Sequence, residues 1–361
     1  MHGIIRSATA IVAVALSASV AAGQGVTWHA FASLSDVYNA NRPGDKRNDG
    51  RVFDFDDNRL RLDDVELSVA RAVSKAGAFG FRVDLEAGRG VPRVAAASGL
   101  FRDANTGHAK DVDLKQAYVS YGLRGGWRAD AGKFVTPLGL EVIEGWDGYN
   151  DNASRSFLFG YAIPFTHTGV RLNYGGSRAS GIVMLVNGWD NVKDNNLGKT
   201  AVVQLSVTPA APLMIAVSGI TGPEQTAEGN NHRTVFDIVA TLKLSSTSTL
   251  GFNADLGDEG HAALDGGQAR WRGAAGYARL GVTPKFSLCL RGEHFSDPDG
   301  ARTGVAQQMS EFTLTPELRL SSHVLVRADL RKDQSNRPVF DAHDGIQRSQ
   351  FTTGINLLLV F

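Results

Sequence analysis

The segment Ala78 to Gly88 (AFGFRVDLEAG) sets the terms for the whole chain. Side chains of an extended strand alternate between two faces. Phe79, Phe81, Val83 and Leu85 therefore share one face, and Gly80, Arg82, Asp84 and Glu86 share the other. A soluble core does not accept Arg, Asp and Glu in succession, so the charged face must be wet while the apolar face meets hydrocarbon. The segment also has the length of a tilted membrane strand, about nine to eleven residues.

The same alternation recurs along the sequence. Trp127, Ala129 and Ala131 oppose Arg128 and Asp130, and Val170, Leu172 and Tyr174 oppose Arg171 and Asn173. Phe236, Ile238 and Leu242 oppose Asp237 and Lys243, and Leu250, Phe252 and Leu256 oppose Asn253 and Asp255. Phe286, Leu288 and Leu290 oppose Arg291 and Glu293, and Val324, Val326 and Leu330 oppose Arg327, Asp329 and Arg331. The polar members of these sets are the expected lining of a water-filled lumen. Between Arg59 and Val73 the apolar phase switches, which predicts a bulge near Asp63–Asp64. Gly181–Val186 and Trp271–Val282 have mixed faces.

Connections alternate in length. Short turns at Ser74–Gly77, Gly122–Gly125, Gly175–Arg178, Pro209–Pro212, Ser245–Thr247, Thr283–Pro284 and Ser321–Ser322 are interleaved with long polar loops, among them Asn39–Asp57, Arg89–Lys110 and Val135–Phe165. Short turns at one end and long loops at the other predict an all-β, antiparallel transmembrane barrel of about sixteen strands, with both termini on the periplasmic side. Closure explains the fold choice, because lipid offers no partner to an unpaired backbone group. A soluble propeller is the competing architecture; it would not need a charged stripe on most strands.

Both ends agree with export to a membrane. Arg6, the apolar run Ala8–Leu16 and the small residues Ser17–Gly23 read as a cleaved secretory signal over residues 1–23, leaving one domain over 24–361. That apolar run is too short to span a bilayer, which takes about twenty residues. The C-terminal FTTGINLLLVF places Phe351, Thr353, Ile355, Leu357, Leu359 and Phe361 on one face. A final aromatic on such a strand resembles the end signal of bacterial outer-membrane barrels, which implies handling of Phe361 by the barrel-assembly machinery. With 37 basic and 37 acidic residues the formal charge is zero, which argues against a nucleic-acid binder. The single cysteine, Cys289, excludes an internal disulfide and a cysteine-based metal site.

Val135–Phe165 is the longest loop and an unusually apolar one, carrying Leu138, Leu140, Val142, Ile143, Trp146, Tyr149, Phe157, Phe159 and Tyr161. Such side chains must pack. Folding of the loop into the lumen would place Lys133, Glu141, Glu144, Asp147, Asp151 and Arg155 at a constriction, where charged groups select ions by sign. A hydrophobic cap over the rim is the competing reading.

The stretch Gly132-Lys133-Phe134-Val135-Thr136-Pro137-Leu138-Gly139 resembles the G-K-F-x-x-P-x-G pattern of porin-like outer-membrane families. Ser154–Phe157, Ile163–Arg171 and Val186–Asp190 resemble the beta-barrel porin-2 (OmpL-like) family, itself similar in appearance to phosphate-selective porins. The clear match covers Phe134 to Asn196. It implies an outer-membrane channel, a trimer as in many porins of this size, and no particular solute. Phosphate-selective relatives carry basic ladders, whereas the third loop here is more acidic than basic.

The expected function is passive diffusion of small hydrophilic solutes or ions, with weak selectivity tilted towards cations. A non-conducting structural or adhesive barrel is the alternative, and a barrel enzyme a third. His29, His167, His294 and His323 are the candidates for enzyme chemistry, but no spacing singles out a Ser–His or Asp–His set. The Asp/Asn-rich stretches 147–152 and 190–196 read as turns rather than calcium loops. No cofactor or metal is expected.

Overall fold

A strand survives in hydrocarbon only when both of its edges are paired. The computed structural model, which describes residues 25–91, 94, 100, 101, 106 and 108–361, meets that condition by closure. The described residues form sixteen strands. They are β1 (Val26–Asn39), β2 (Arg61–Arg71), β3 (Phe79–Ala87), β4 (Val112–Gly122), β5 (Trp127–Val135), β6 (Thr166–Gly175), β7 (Ala179–Val186) and β8 (Thr200–Ala210). The second half comprises β9 (Leu213–Pro223), β10 (His232–Lys243), β11 (Thr249–Glu259), β12 (Ala269–Gly281), β13 (Phe286–Asp297), β14 (Gln307–Arg319), β15 (Val324–Ser335) and β16 (Ser349–Val360). Each strand pairs antiparallel with its chain neighbours, and β1 closes on β16 with Leu34 opposite Leu357. The proposed signal, residues 1–23, lies outside the described residues, as does part of the second long loop.

Alternation assigns the faces as the sequence suggests. Phe79 is 68 % exposed, Phe236 62 % and Ile355 63 %, whereas Asp84, Arg291 and Arg327 are fully buried on the inner face. At the short-turn end, Phe79 and Tyr121 rings lie 4.9 Å apart and Trp127 and Tyr174 rings 5.0 Å apart. This is the interfacial aromatic band of a membrane barrel.

Two bulges re-aim charged side chains. Ser33 faces Asp64 and Leu34 faces Leu62, so Asp63 is the extra residue on β2, where the phase switch predicts it. On β4, Asp84 faces Gln116 and Leu85 faces Leu114, which leaves Lys115 over. Lys115 and Gln116 are consequently both buried on the lumen side. Gly88 packs against the first bulge; a Cβ there would lie 2.2 Å from the Asp63 carbonyl oxygen.

The mixed-face strands have a physical explanation. On β7, Val183 and Leu185 face outward while Met184 and Val186 are buried inward. Val202, Ile220 and Val235 continue this inner apolar stripe across β8, β9 and β10. Water does not wet it, because a loop covers it.

Candidate functional site

The loop joining β5 to β6, residues 136–165, lies inside the barrel. Its apolar side chains Leu138, Phe157, Leu158, Phe159 and Ile163 join one buried cluster with Met184, Val186, Val202, Ile220, Val235, Trp271 and Phe295 of the inner wall. Burying each large side chain is worth roughly 1.5–3 kcal/mol, so this face fixes the loop to β7–β13. A single π-helical turn, Leu158–Ala162, forms the contact. Glu293 on β13 accepts hydrogen bonds from the Phe157 and Leu158 amides at 2.6 and 3.1 Å, satisfying donors at the start of that turn. The Trp271 indole donates to the Ala162 carbonyl at 3.1 Å.

The polar side of the loop reaches across the lumen. Glu141 bonds Arg291 of β13 at 2.7 Å, and Glu144 bonds Arg327 of β15 at 2.8 Å. Arg155 adds a second guanidinium to Glu144 at 3.1 Å. On the opposite wall, Lys115 bridges Glu66 and the Glu144 carbonyl, both at 3.0 Å, and Glu66 accepts the Trp146 amide at 3.2 Å. Asp147 pairs with Arg82 at 2.6 Å, and Trp146 stacks on His29 with centroids 3.6 Å apart. Asp151 bonds Arg279 at 2.8 Å, and Arg319 donates to the Tyr149 hydroxyl at 2.8 Å. The loop is thereby tied to β1–β4 on one side and β12–β15 on the other.

Two groups depart from the sequence grouping. Lys133 belongs to β5, not the loop, and is bound to Asp113 at 2.7 Å and the Leu114 carbonyl at 2.8 Å. Most of the inward charges meet protein instead of open water: Arg291, Arg327, Asp84, Glu86, Asp237, Glu293 and Asp329 are all buried. Asp130 gathers Arg128 and Arg171 at 2.9 and 2.8 Å, and Lys243 stays exposed at the short-turn rim.

The first long loop, residues 40–60, also enters the barrel, which the sequence reading missed. Its Arg51 is paired with Asp54 and Asp333 and donates to Thr352 at 3.0 Å. Its Phe53 packs against Phe159 and Phe165. The one available signal is the set Val52, Phe53 and Phe55 within an otherwise polar loop.

Residues 25–361 match the family described as "Putative beta-barrel porin-2, OmpL-like". The chain belongs to this family. No curated protein matches it. Among solved structures, the porin is similar to the trimer form of in-vitro folded OmpT from Vibrio cholerae (TM-score 0.62, 10 % identity, 93 % of this chain and 99 % of that one). It is also similar to the anion-selective porin from Comamonas acidovorans (TM-score 0.61, 11 % identity, 93 % and 99 %). The OmpF–daunomycin complex from Salmonella typhi is a third (TM-score 0.62, 8 % identity, 93 % and 97 %). At these identities the likeness is one of fold. Family and fold together make the chain a bacterial outer-membrane channel for small solutes, and point to a channel rather than an enzyme.

The histidines and the lone cysteine of this porin have defined surroundings in the fold. His294 bonds Ser310 at 2.9 Å on the outward face, with no carboxylate bonded to the pair among the described residues. His167 is buried between the Gly188 carbonyl and the Thr136 hydroxyl. Asp151, Cys289 and Glu317 converge closely enough to suggest a metal, but Arg279 occupies their centre, 2.8 Å from each carboxylate and 3.5 Å from the sulfur. At the loop's far end, Asp190 accepts the Phe165 and Thr166 amides at 2.6 and 2.8 Å. Burial pushes its carboxyl up to about 6 against those bonds, and burial likewise lifts neighbouring Glu224 to about 7.

Proposed function

We propose that the limiting aperture for solutes is set by the loop 136–165, and that Glu141, Glu144, Asp147, Asp151 and Arg155 hold it there while the wall charges anchor it. The observation that carries this reading is the double attachment of the loop, to Glu66 and Lys115 on one wall and to Arg291 and Arg327 on the other. A solute crossing the barrel has to pass beside it. Deleting Glu141–Tyr149 tests the proposal in planar bilayers. The conductance step should rise several-fold, and an unchanged step would remove the constriction role.

The sign of selectivity follows from which charges keep contact with water. The vestibule at the short-turn end, about 800 Å³, is lined by Arg71, Lys75, Arg82, Arg124 and Arg128 and by no carboxylate. Of the buried acids within, Glu141, Glu144, Glu311 and Asp333 are paired with guanidiniums. We therefore assign a weak preference for anions, opposite to the tilt expected from the loop sequence alone. Wall charges of one sign select in this way.

A plugged, non-conducting barrel has one observation in its favour, the complete burial of Arg291, Arg327 and Arg331. Folded protein that gives no current steps would select it. Export by the Sec route through residues 1–23, assembly through the Phe361 end signal and a homotrimer in lipid complete the proposal; loss of export on deleting 1–23 and crosslinked trimers are the respective readouts.

A further inference from the structure

Between the first, second and third long loops and the wall formed by β1–β3, β15 and β16 lies a cavity of about 80 Å³. A water needs about 10–15 Å³ measured this way, so the space fits a solute of several heavy atoms. Its lining is of two kinds. Phe31, Val37, Phe53, Val91 and Ile143 supply apolar wall, and six carboxylates and four guanidiniums supply charge.

The charges are not fully matched. Among the described residues, Asp54 Oδ1, Asp64 Oδ1 and Glu86 Oε1 accept no hydrogen bond, and Arg61 Nε and Nη1, Arg155 Nε and Arg331 Nη2 donate none. Glu86, Arg61, Arg155 and Arg331 are each more than nine-tenths buried. The nearest cation to Glu86 is the Lys115 ammonium at 3.9 Å, which is already bonded to Glu66 at 3.0 Å. A buried donor or acceptor left unbonded costs about 1–3 kcal/mol. Orphaned acceptors on β2 and β3 call for a ligand with donors. Orphaned guanidinium nitrogens on the third loop and β15 call for one with acceptors. A simple cation or anion would answer half of the site.

We propose that this cavity binds a small zwitterion of the α-amino acid class with a short apolar side chain. Its ammonium lies against Asp64 and Glu86, its carboxylate towards Arg155 and Arg331, and its side chain against Phe31 and Ile143. The inference builds on the channel reading by naming a solute class for the same lumen.

Saturation-transfer NMR on the folded, detergent-solubilised protein tests it with three probes of one shape: valine, isobutylamine (valine without its carboxylate) and isovalerate (valine without its ammonium). Valine should bind, with isobutylamine and isovalerate each at least tenfold weaker. Glu86→Gln and Arg155→Gln should each weaken valine at least tenfold, with heat-modifiable gel migration confirming a folded barrel. Equal binding of isobutylamine would make this a plain cation site, and equal binding of isovalerate a plain anion site. No binding of any probe would leave a water-filled space, and valine binding unchanged in both variants would place it elsewhere. Each of these four outcomes overturns the proposal. Current steps without valine binding would sink this inference alone; valine binding without current would leave the site standing and sink the channel reading.

Discussion

Glu144 in the third loop and Arg327 on β15 meet across the lumen through two parallel hydrogen bonds, Nη1 to Oε1 at 2.8 Å and Nη2 to Oε2 at 3.2 Å. Paired, fork-to-fork contacts of this kind are strong and directional. The guanidinium is fully buried and also bonds Asn356 at 2.7 Å, so it cannot follow the loop if the loop moves. Glu144 is thus the point at which the loop is fastened to the far wall.

Replacing Glu144 with Ala should release the central part of the loop. Removing one partner of a buried pair costs about 3–5 kcal/mol when the other charge stays dry. The least costly response is for the loop to lift and water to reach Arg327. Single-channel recordings should show a larger, noisier conductance than wild type. Glu144→Gln, which keeps the shape, should fall between the two.

Acid should act on the same bond. Burial would raise the Glu144 carboxyl, but the Arg155 and Arg327 guanidiniums override it and hold it at about 2. A depressed folded value means that the stabilisation is full above the ordinary value of 4.5 and is lost as pH falls from there towards 2. Conductance should therefore be flat from neutral pH to about 5 and become noisy below about 3. Equal noise at pH 7 and pH 3 would count against the fastening role.

The other end of the loop should respond with opposite sign. Asp190 and Glu224 sit at about 6 and about 7, raised by burial. A raised folded value gives stability that is complete at low pH and lost as pH rises through that value. Hydrogen exchange at the Phe165 and Thr166 amides and at the Trp189 amide, which donates to Glu224 at 2.6 Å, corrected for intrinsic rates, should speed up between about pH 4 and pH 7. Asp190→Asn should remove most of that rise at Phe165 and Thr166.

Much of the barrel is legible in the sequence, for a physical reason. A wall with lipid on one side and water or buried charge on the other imposes a period of two, and Phe79 to Glu86 displays it without interruption. The β2 bulge is legible too, because one extra residue flips the phase at Asp63. What the period cannot show is which part of the inner face a loop covers. Met184, Val186 and Val202 look like noise until the apolar side of the third loop is laid on them. The β4 bulge at Lys115 hides because its neighbours are mixed, and the pairing of Arg327 with Glu144 links positions far apart in the chain, which no local pattern encodes.

A side chain at Gly145 should displace the ion pair beside it. A Cβ there would lie 2.2 Å from Glu66 Oε2 and 2.6 Å from Lys115 Nζ, so both side-chain ends must move to admit it. Gly145→Ala should detach Trp146 from its bond to Glu66 and from its stack on His29. Trp146 fluorescence is one signal among five tryptophans, so the change is best read by difference against Trp146→Phe. The emission of the Gly145→Ala protein should shift to the red by the contribution that Trp146→Phe removes.

Charge selectivity provides the most direct check on how the lumen is arranged. Along the chain, acids and bases balance at 37 each, so composition favours neither sign. Within the fold, the carboxylates Asp84, Glu66, Glu144 and Glu293 are buried against partners, while the side chains of Arg128, Arg82 and its partner Asp147 keep 41 %, 15 % and 42 % of their surface in water. Fields from exposed charges reach about 8 Å at physiological salt, enough to bias a narrow mouth. In a tenfold potassium chloride gradient the reversal potential should take the sign of chloride permeation. Arg82→Gln combined with Arg128→Gln should carry it towards the cation sign, because the change leaves Asp84, Asp130 and Asp147 without these partners at the vestibule. A wild-type potential of the cation sign would show that the buried acids still govern passage, and that burial in the static fold does not remove a charge from the path.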